Sequence, residues 1–168
     1  RGALVEFDKA AQAGMAAARL APLHARALAE RREWRTLVDR YLSSGLEDPQ
    51  ARADVLVHVA QALLQLDRSD EARGALEKAL VAVPGHVGAE VALARHEAST
   101  GNADGALRRI DALLSGNAND SAWRLKGDLE ALHRKDAVAA RKAYEKAAEL
   151  GAKSVDSQLA LITHLLGA

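Results

Sequence analysis

The sequence predicts an all-α fold, a right-handed superhelical solenoid of antiparallel helix pairs with about ten helices. Three observations carry this. The first is a repeat. Ala72, Leu76 and Ala79 are matched 34 residues later by Ala106, Ile110 and Leu113, and after 34 more by Ala140, Tyr144 and Ala147. Leu37, Tyr41 and Ser44 stand 35 residues before the first of these sets, and Ala3, Phe7 and Ala10 stand 34 before that. The second is the spacing of four and then three inside each triplet, which puts its members on one helical face. The third is composition. Apolar residues make up 49% but aromatics only 3%. Abundant alanine suits closely packed helices, whereas a sandwich or barrel wants more β-branched and aromatic side chains.

The elements follow in order. Helices are expected at 3–13, 18–30, 34–45, 50–66, 69–82, 87–99, 103–115, 120–133, 137–149 and 155–166. They form a single array over 1–168: a half-unit at 1–17, full pairs at 18–52, 53–86, 87–120 and 121–154, and a half-unit at 155–168. Small residues at Ala25, Ala60 and Ala94 precede the triplets by twelve positions and mark where paired helices cross. The fourth such position holds Asp128, which fits poorly. Gly127, one residue earlier, fits better, which implies one extra residue in the Leu132–Asp136 turn. Pro49 and Pro84 end two units, with Met15, Ala118 and Ala152 in the equivalent places beside Gly14, Gly116 and Gly151. Turns inside the pairs fall at Arg31–Glu33, Asp67–Ser69, Gly101–Asn102 and Arg134–Asp136. Asp48 before Pro49 reads as a helix N-cap with proline in the first turn.

Bulk properties narrow the function. The 23 basic and 23 acidic residues cancel, and no basic stripe is evident, so nucleic acid is not an expected partner. No apolar run reaches the ~20 residues needed to span a bilayer, and no signal peptide opens the chain. It begins with Arg1 rather than Met and so reads as a processed or excised piece. There is no cysteine for a disulfide or a thiolate metal site.

Motifs for catalysis or cofactors are not found. His24, His58, His86, His96, His133 and His164 are too dispersed for a helical metal pair, and each is expected on the surface or in a groove. His96-Glu97 starts like a zincin motif, but position 100 is threonine. Asn117–Asp120 lacks the ligand series of a calcium loop. No strand is predicted for a nucleotide loop or a nucleophile elbow to follow. The expectation is a non-enzymatic chain without cofactor or metal.

Trp123, Gly127, Ala140, Tyr144 and Ala147 resemble the tetratricopeptide consensus, as do Pro84, Ala94, Gly101, Ala106 and Ile110. The resemblance covers nearly the whole chain. It implies a scaffold for protein–protein interaction whose concave side is lined by the first helix of each pair. A narrower resemblance, to the exosortase-associated tetratricopeptide lipoprotein family, lies in Leu125-Lys126-Gly127-Asp128-Leu129 and Ala140–Ala147, and upstream in Lys9-Ala10, Gly14 and Pro22-Leu23 to Trp34. It implies a periplasmic, lipid-anchored protein of exopolysaccharide export or PEP-CTERM sorting, although the lipobox cysteine is not in this chain. A cytoplasmic location is the alternative.

Projecting the first helices outward gives the expected groove, which would hold a protein or peptide. It comprises Arg19, Arg26 and Glu30, then Asp54, Val57, Gln61 and Leu64, then Val91, Arg95 and Ser99, then Leu125 and Leu129. Arg26 and Arg95 would be charged anchors, and Val57, Leu64, Val91 and Leu125 apolar pockets. The competing reading is that these are ordinary solvated or inter-helix positions. A glycan or lipid-linked intermediate is the alternative ligand, with few aromatics to receive a sugar. The carboxylate clamp of chaperone-binding relatives is not expected, because the matching places hold Pro22 and Arg26, Val57 and Gln61, and Val91 and Arg95. Trp34 and Trp123 are expected to pack between helices. The last helix would expose Leu159, Leu161, Ile162, Leu165 and Leu166, an edge for further repeats or for a second copy.

Overall fold

The computed structural model describes residues 17–116 and 119–167. Apart from Ala17, the half-unit expected at 1–17, with its helix at 3–13, its triplet Ala3, Phe7 and Ala10, and Gly14 and Met15, lies outside the described residues, as does Ala118. The described helices are α1 Ala17–Glu30, α2 Trp34–Tyr41, α3 Pro49–Gln65, α4 Ser69–Ala82, α5 Val87–Ser99, α6 Ala103–Gly116, α7 Asp120–Leu129, α8 Ala137–Leu150 and α9 Val155–Gly167. A π turn, Glu130–Arg134, extends α7. Among the described residues there is no strand.

Capping chemistry sets many of the boundaries. Asp48 accepts from the Ala51 N–H at 2.7 Å with Pro49 in the first turn, as its sequence suggests. Asn119 accepts from the N–H groups of Ser121 and Ala122, and Asp136 from those of Val138 and Ala139. One expected boundary is corrected. The helix placed at 34–45 ends at Tyr41. The N–H and the hydroxyl of Ser44 both donate to the Tyr41 carbonyl. In a Ser-Ser-Gly run these local bonds outcompete another helical turn.

The described chain divides into two compact units, one running to Ala89 and the other from Glu90. In the first, α1 packs on α2 and α3, and α3 packs on α2 and α4. Its core holds Ala25, Leu28, Leu37, Ala60, Leu63, Ala72 and Leu76. In the second, α7 packs on α6, α8 and α9, and α8 packs on α9. Ala106, Ile110, Ala122, Leu129, Ala140 and Ala147 fill that core. The Arg109 guanidinium on α6 ties this helix to α5 by binding Glu97 and Glu90, each at 2.8 Å. Those two carboxylates hold it charged, with Glu97 the larger influence.

The turns inside the pairs share one geometry. Arg32, Asp67, Gly101 and Lys135 all have positive φ, the left-handed conformation that closes a helix. In the first three pairs the following N–H reaches back five residues: Glu33 to the Leu28 carbonyl, Arg68 to Leu63 and Asn102 to Glu97, at 2.8–3.0 Å. In the fourth, the Asp136 N–H reaches back six, to Glu130, at 3.0 Å. The extra residue implied by the Gly127 register is therefore held in the π turn Glu130–Arg134. A π turn is how a helix absorbs one inserted residue without unwinding.

Candidate functional site

The second unit carries a cleft of about 560 Å³. Three first helices build it: α5 gives Arg95, α7 gives Arg124 and Asp128, and α9 gives Asp156, Leu159, Ala160, Thr163 and His164. Tyr144 of α8 also lines it. The Tyr144 hydroxyl donates to Asp128 Oδ1 at 2.8 Å, and its ring lies 5.1 Å from that of His164. Burial, and next the Asp128 carboxylate, push the Tyr144 phenol well above its ordinary pKa. It therefore stays a hydrogen-bond donor and fixes the Asp128 carboxylate in place. Arg124 pairs with Asp156 at 3.0 Å. Arg95 is exposed and, among the described residues, has no ion-pair or hydrogen-bond partner. The cleft thus offers a guanidinium donor, an oriented carboxylate acceptor and an apolar wall at Leu159 and Ala160. That set suits a peptide backbone with one polar and one apolar side chain.

Part of the expected groove is corrected. Leu125 and Leu129 are 3% and 2% exposed, so they belong to the core, and Val91 is buried too. The small residues Ala94 and Gly127 are 33 apart rather than 34. One residue is 100° of rotation in a helix. Arg124 and Asp128, not Leu125 and Leu129, are therefore the α7 equivalents of Val91 and Arg95. The signal was present in the Gly127 slip. Tyr144, Asp156, Leu159, Thr163 and His164 are further cleft residues outside the expected set. Ser99 is exposed, but its hydroxyl donates to the His96 carbonyl of its own helix.

In the first unit Arg19, Arg26, Glu30, Gln61 and Leu64 are exposed, and Asp54 and Val57 are half-buried. Arg26 binds Glu30 at 2.8 Å. Asp54 accepts from Gln50 and is 2.9 Å from His86 Nε2. His86 Nδ1 accepts the Ala89 N–H, so the ring proton sits on Nε2 and goes to Asp54. Asp54, Arg26 and Glu30 all act electrostatically on His58 of α3. Among the described residues, His58 Nδ1 is buried without a hydrogen-bond partner. Burial is the main cause that lowers the His58 pKa, against the opposing pull of Asp54.

This has a stability consequence. An unfolded chain protonates His58 near ~6.5, while the folded chain resists until lower pH. The contribution is complete above that value and is lost as pH falls through the depressed folded pKa. His58→Gln is expected to lose less thermal stability than the parent between pH 7.5 and 5.5, because only the parent's unfolded chain takes up a proton at this position. Parallel losses in both chains, read by circular dichroism melts, would remove His58 as the cause.

The other histidines divide. His24 and His96 are buried rather than on a surface or groove, and His24 Nδ1 is 2.7 Å from the Tyr41 hydroxyl. His133 is exposed in the π turn. Among the described residues no group of three or more His, Cys, Asp or Glu could hold a metal ion, and no helix is long and apolar enough to cross a membrane. Trp34 and Trp123 are half-buried, with Lys126 Nζ 5.5 Å from the Trp123 ring centre. On α9, Leu159, Ile162, Leu165 and Leu166 are exposed, and Leu161 is half-buried.

Residues 63–129 match the family model described as tetratricopeptide repeat. No curated protein sequence matches the chain. Solved structures share its fold. A thermophilic tetratricopeptide protein of Thermus thermophilus, TTC0263, is 19% identical with a TM-score of 0.70, covering 98% of this chain and 89% of its own. YrrB, described as a tetratricopeptide protein with an unusual peptide-binding site, is 19% identical with a TM-score of 0.60, covering 94% and 81%. A tetratricopeptide protein of Parabacteroides merdae ATCC 43184 is 16% identical with a TM-score of 0.53, covering 98% and 77%. The repeat match at residues 63–129 and the helix-pair fold of the described chain agree with the ladder of small residues: the chain carries a tetratricopeptide-repeat match at its centre and has the fold of tetratricopeptide-repeat proteins.

Proposed function

We propose that this chain is a non-enzymatic scaffold that holds an extended peptide segment of a protein partner, with the cleft of the second unit as one seat. The observation that carries the reading is the unpartnered Arg95 beside the Tyr144-oriented Asp128 carboxylate. Arg95 would donate to a peptide carbonyl or an acidic side chain, and Asp128 would accept a peptide N–H. The peptide-binding site described for YrrB supports it. Arg26, Asp54 and Gln61 would be polar contacts for a partner on the first unit itself.

Binding to a fluorescein-labelled peptide library, read by anisotropy, tests this. Arg95→Glu is expected to weaken the hits at least ten-fold, about 1.4 kcal/mol, while leaving the helical circular dichroism unchanged. A library without hits, or hits indifferent to both Arg95→Glu and Asp128→Asn, would refute the cleft.

The setting we infer is the bacterial periplasm, anchored at the outer membrane, in exopolysaccharide export or PEP-CTERM sorting. Its support is the likeness of Leu125–Leu129 and Ala140–Ala147 to the exosortase-associated lipoproteins. Pull-down from periplasmic and cytoplasmic fractions discriminates. Partners found only in the cytoplasm would count against it. A glycan or lipid-linked ligand is less favoured, because Tyr144, the aromatic ring of the cleft, is only 6% exposed and offers no open platform for a sugar.

A further inference from the structure

In the first unit, away from the first-helix face, a second cavity of about 340 Å³ opens beside the stretch that links α2 to α3. Ser43, Ser44 and Gly45 form its loop side, Arg52 and Leu56 come from α3, and Lys78 comes from α4. Arg52 and Lys78 are the two cations that line it. Among the described residues neither has an ion-pair or hydrogen-bond partner. Elsewhere in this unit Arg26, Arg31, Arg68 and Arg73 each bind a glutamate of their own helix or turn, whereas Arg19, Arg32 and Arg35 are likewise unpartnered among the described residues but do not line this cavity. Of the two acids in the linker, Asp48 is committed to the Ala51 N–H, and Glu47 is exposed and does not line the cavity. Two like charges thus converge from different helices on one concave space that no acidic side chain lines. Such an arrangement concentrates positive potential and favours an anion.

We propose that this cavity binds the phosphate group of a small molecule. Arg52 offers a planar fork that matches two phosphate oxygens, and Lys78 offers a point charge for a third. The Ser43 hydroxyl adds a neutral donor at the loop side. The Ser44 hydroxyl is already used on the Tyr41 carbonyl, where it holds the loop in shape. Two positive side chains balance a phosphate monoester, which carries close to two negative charges at neutral pH, better than they balance a single carboxylate. This site shares no residue with the peptide cleft and does not depend on it.

The test is an amide NMR titration of the full chain at constant ionic strength. Inorganic phosphate, ribose 5-phosphate and acetate are the probes. Saturable shifts confined to residues 43–47, 52 and 78 are expected with the two phosphates. Saturation by inorganic phosphate alone identifies the free anion, and tighter binding of ribose 5-phosphate identifies a phosphorylated small molecule. Arg52→Gln and Lys78→Gln should each weaken binding at least ten-fold while the remaining spectrum stays in place. Both residues are exposed, so the variants test the site and not the fold. Linear shifts without saturation, equal binding of acetate, or indifference to both substitutions would overturn the proposal.

Discussion

Gly127→Ala is expected to destabilise the second unit by roughly 1–3 kcal/mol, although alanine is the better helix former. A Cβ at this position would sit 2.6 Å from Tyr144 Cε1 and 2.7 Å from Cδ1. The ring cannot simply swing aside. It is buried, its hydroxyl is bound to Asp128, and His164 lies against it. Alanine occupies the equivalent place in the other three pairs, where the corresponding ladder residues are Tyr41, Leu76 and Ile110. A tyrosine at the ladder position does not by itself demand glycine, but in the fourth pair the Tyr144 ring lies over the space that a Cβ would fill. Adding Tyr144→Leu should therefore remove most of the alanine penalty, so the double-mutant cycle shows a coupling of about 1 kcal/mol or more. The readout is the urea midpoint, with hydrogen exchange of α7 and α8 amides locating the loss. A neutral Gly127→Ala, or strict additivity with Tyr144→Leu, would show that the crossing is not tightly packed.

That pairing also shows how far the sequence could be read. Helix positions were legible because the apolar spacing, the cap at Asp48 and the turn residues Asp67, Gly101 and Asp136 all report on local geometry. Local bonds likewise explain the boundary that moved, at Ser43–Gly45, where side-chain and backbone donors compete for the Tyr41 carbonyl. The cleft was less legible for a different reason. Which side of α7 faces outward depends on a single-residue register, and counting 34 from Val91 and Arg95 lands on Leu125 and Leu129. Full burial of two leucines against half-burial of Arg124 and Asp128 settles that rotation, and it is a tertiary preference. Residues on α9 that complete the cleft, such as Leu159 and Thr163, lie in a helix without a following triplet to set their register. Buried His24 and His96 carry no periodic signature that separates them from surface histidines.

The π turn makes the last prediction a contrast between two deletions. Removing His133 brings Glu130 and Asp136 to the five-residue separation found in the other three pairs, with Lys135 still free to take its left-handed conformation. His133 is exposed and contributes no core contact. The shortened turn should then close as an ordinary α-helical end, and stability should change by less than about 1 kcal/mol or rise slightly, because the π bond pattern is the less favourable one. Removing Gln65, also exposed, has no such slack to draw on. Its turn already closes at five residues, from the Arg68 N–H to the Leu63 carbonyl. The deletion must either break that closure or rotate α3 by 100° against α4, turning Ala60 and Leu63 out of the core. A loss of roughly 3–5 kcal/mol is expected. Urea unfolding of both deletions beside the parent decides the matter. If the His133 deletion costs as much as the Gln65 deletion, the extra residue is an integral part of the fourth pair's packing and not an absorbed insertion. In that case the displaced register that brings Arg124 and Asp128 to the cleft would need another cause.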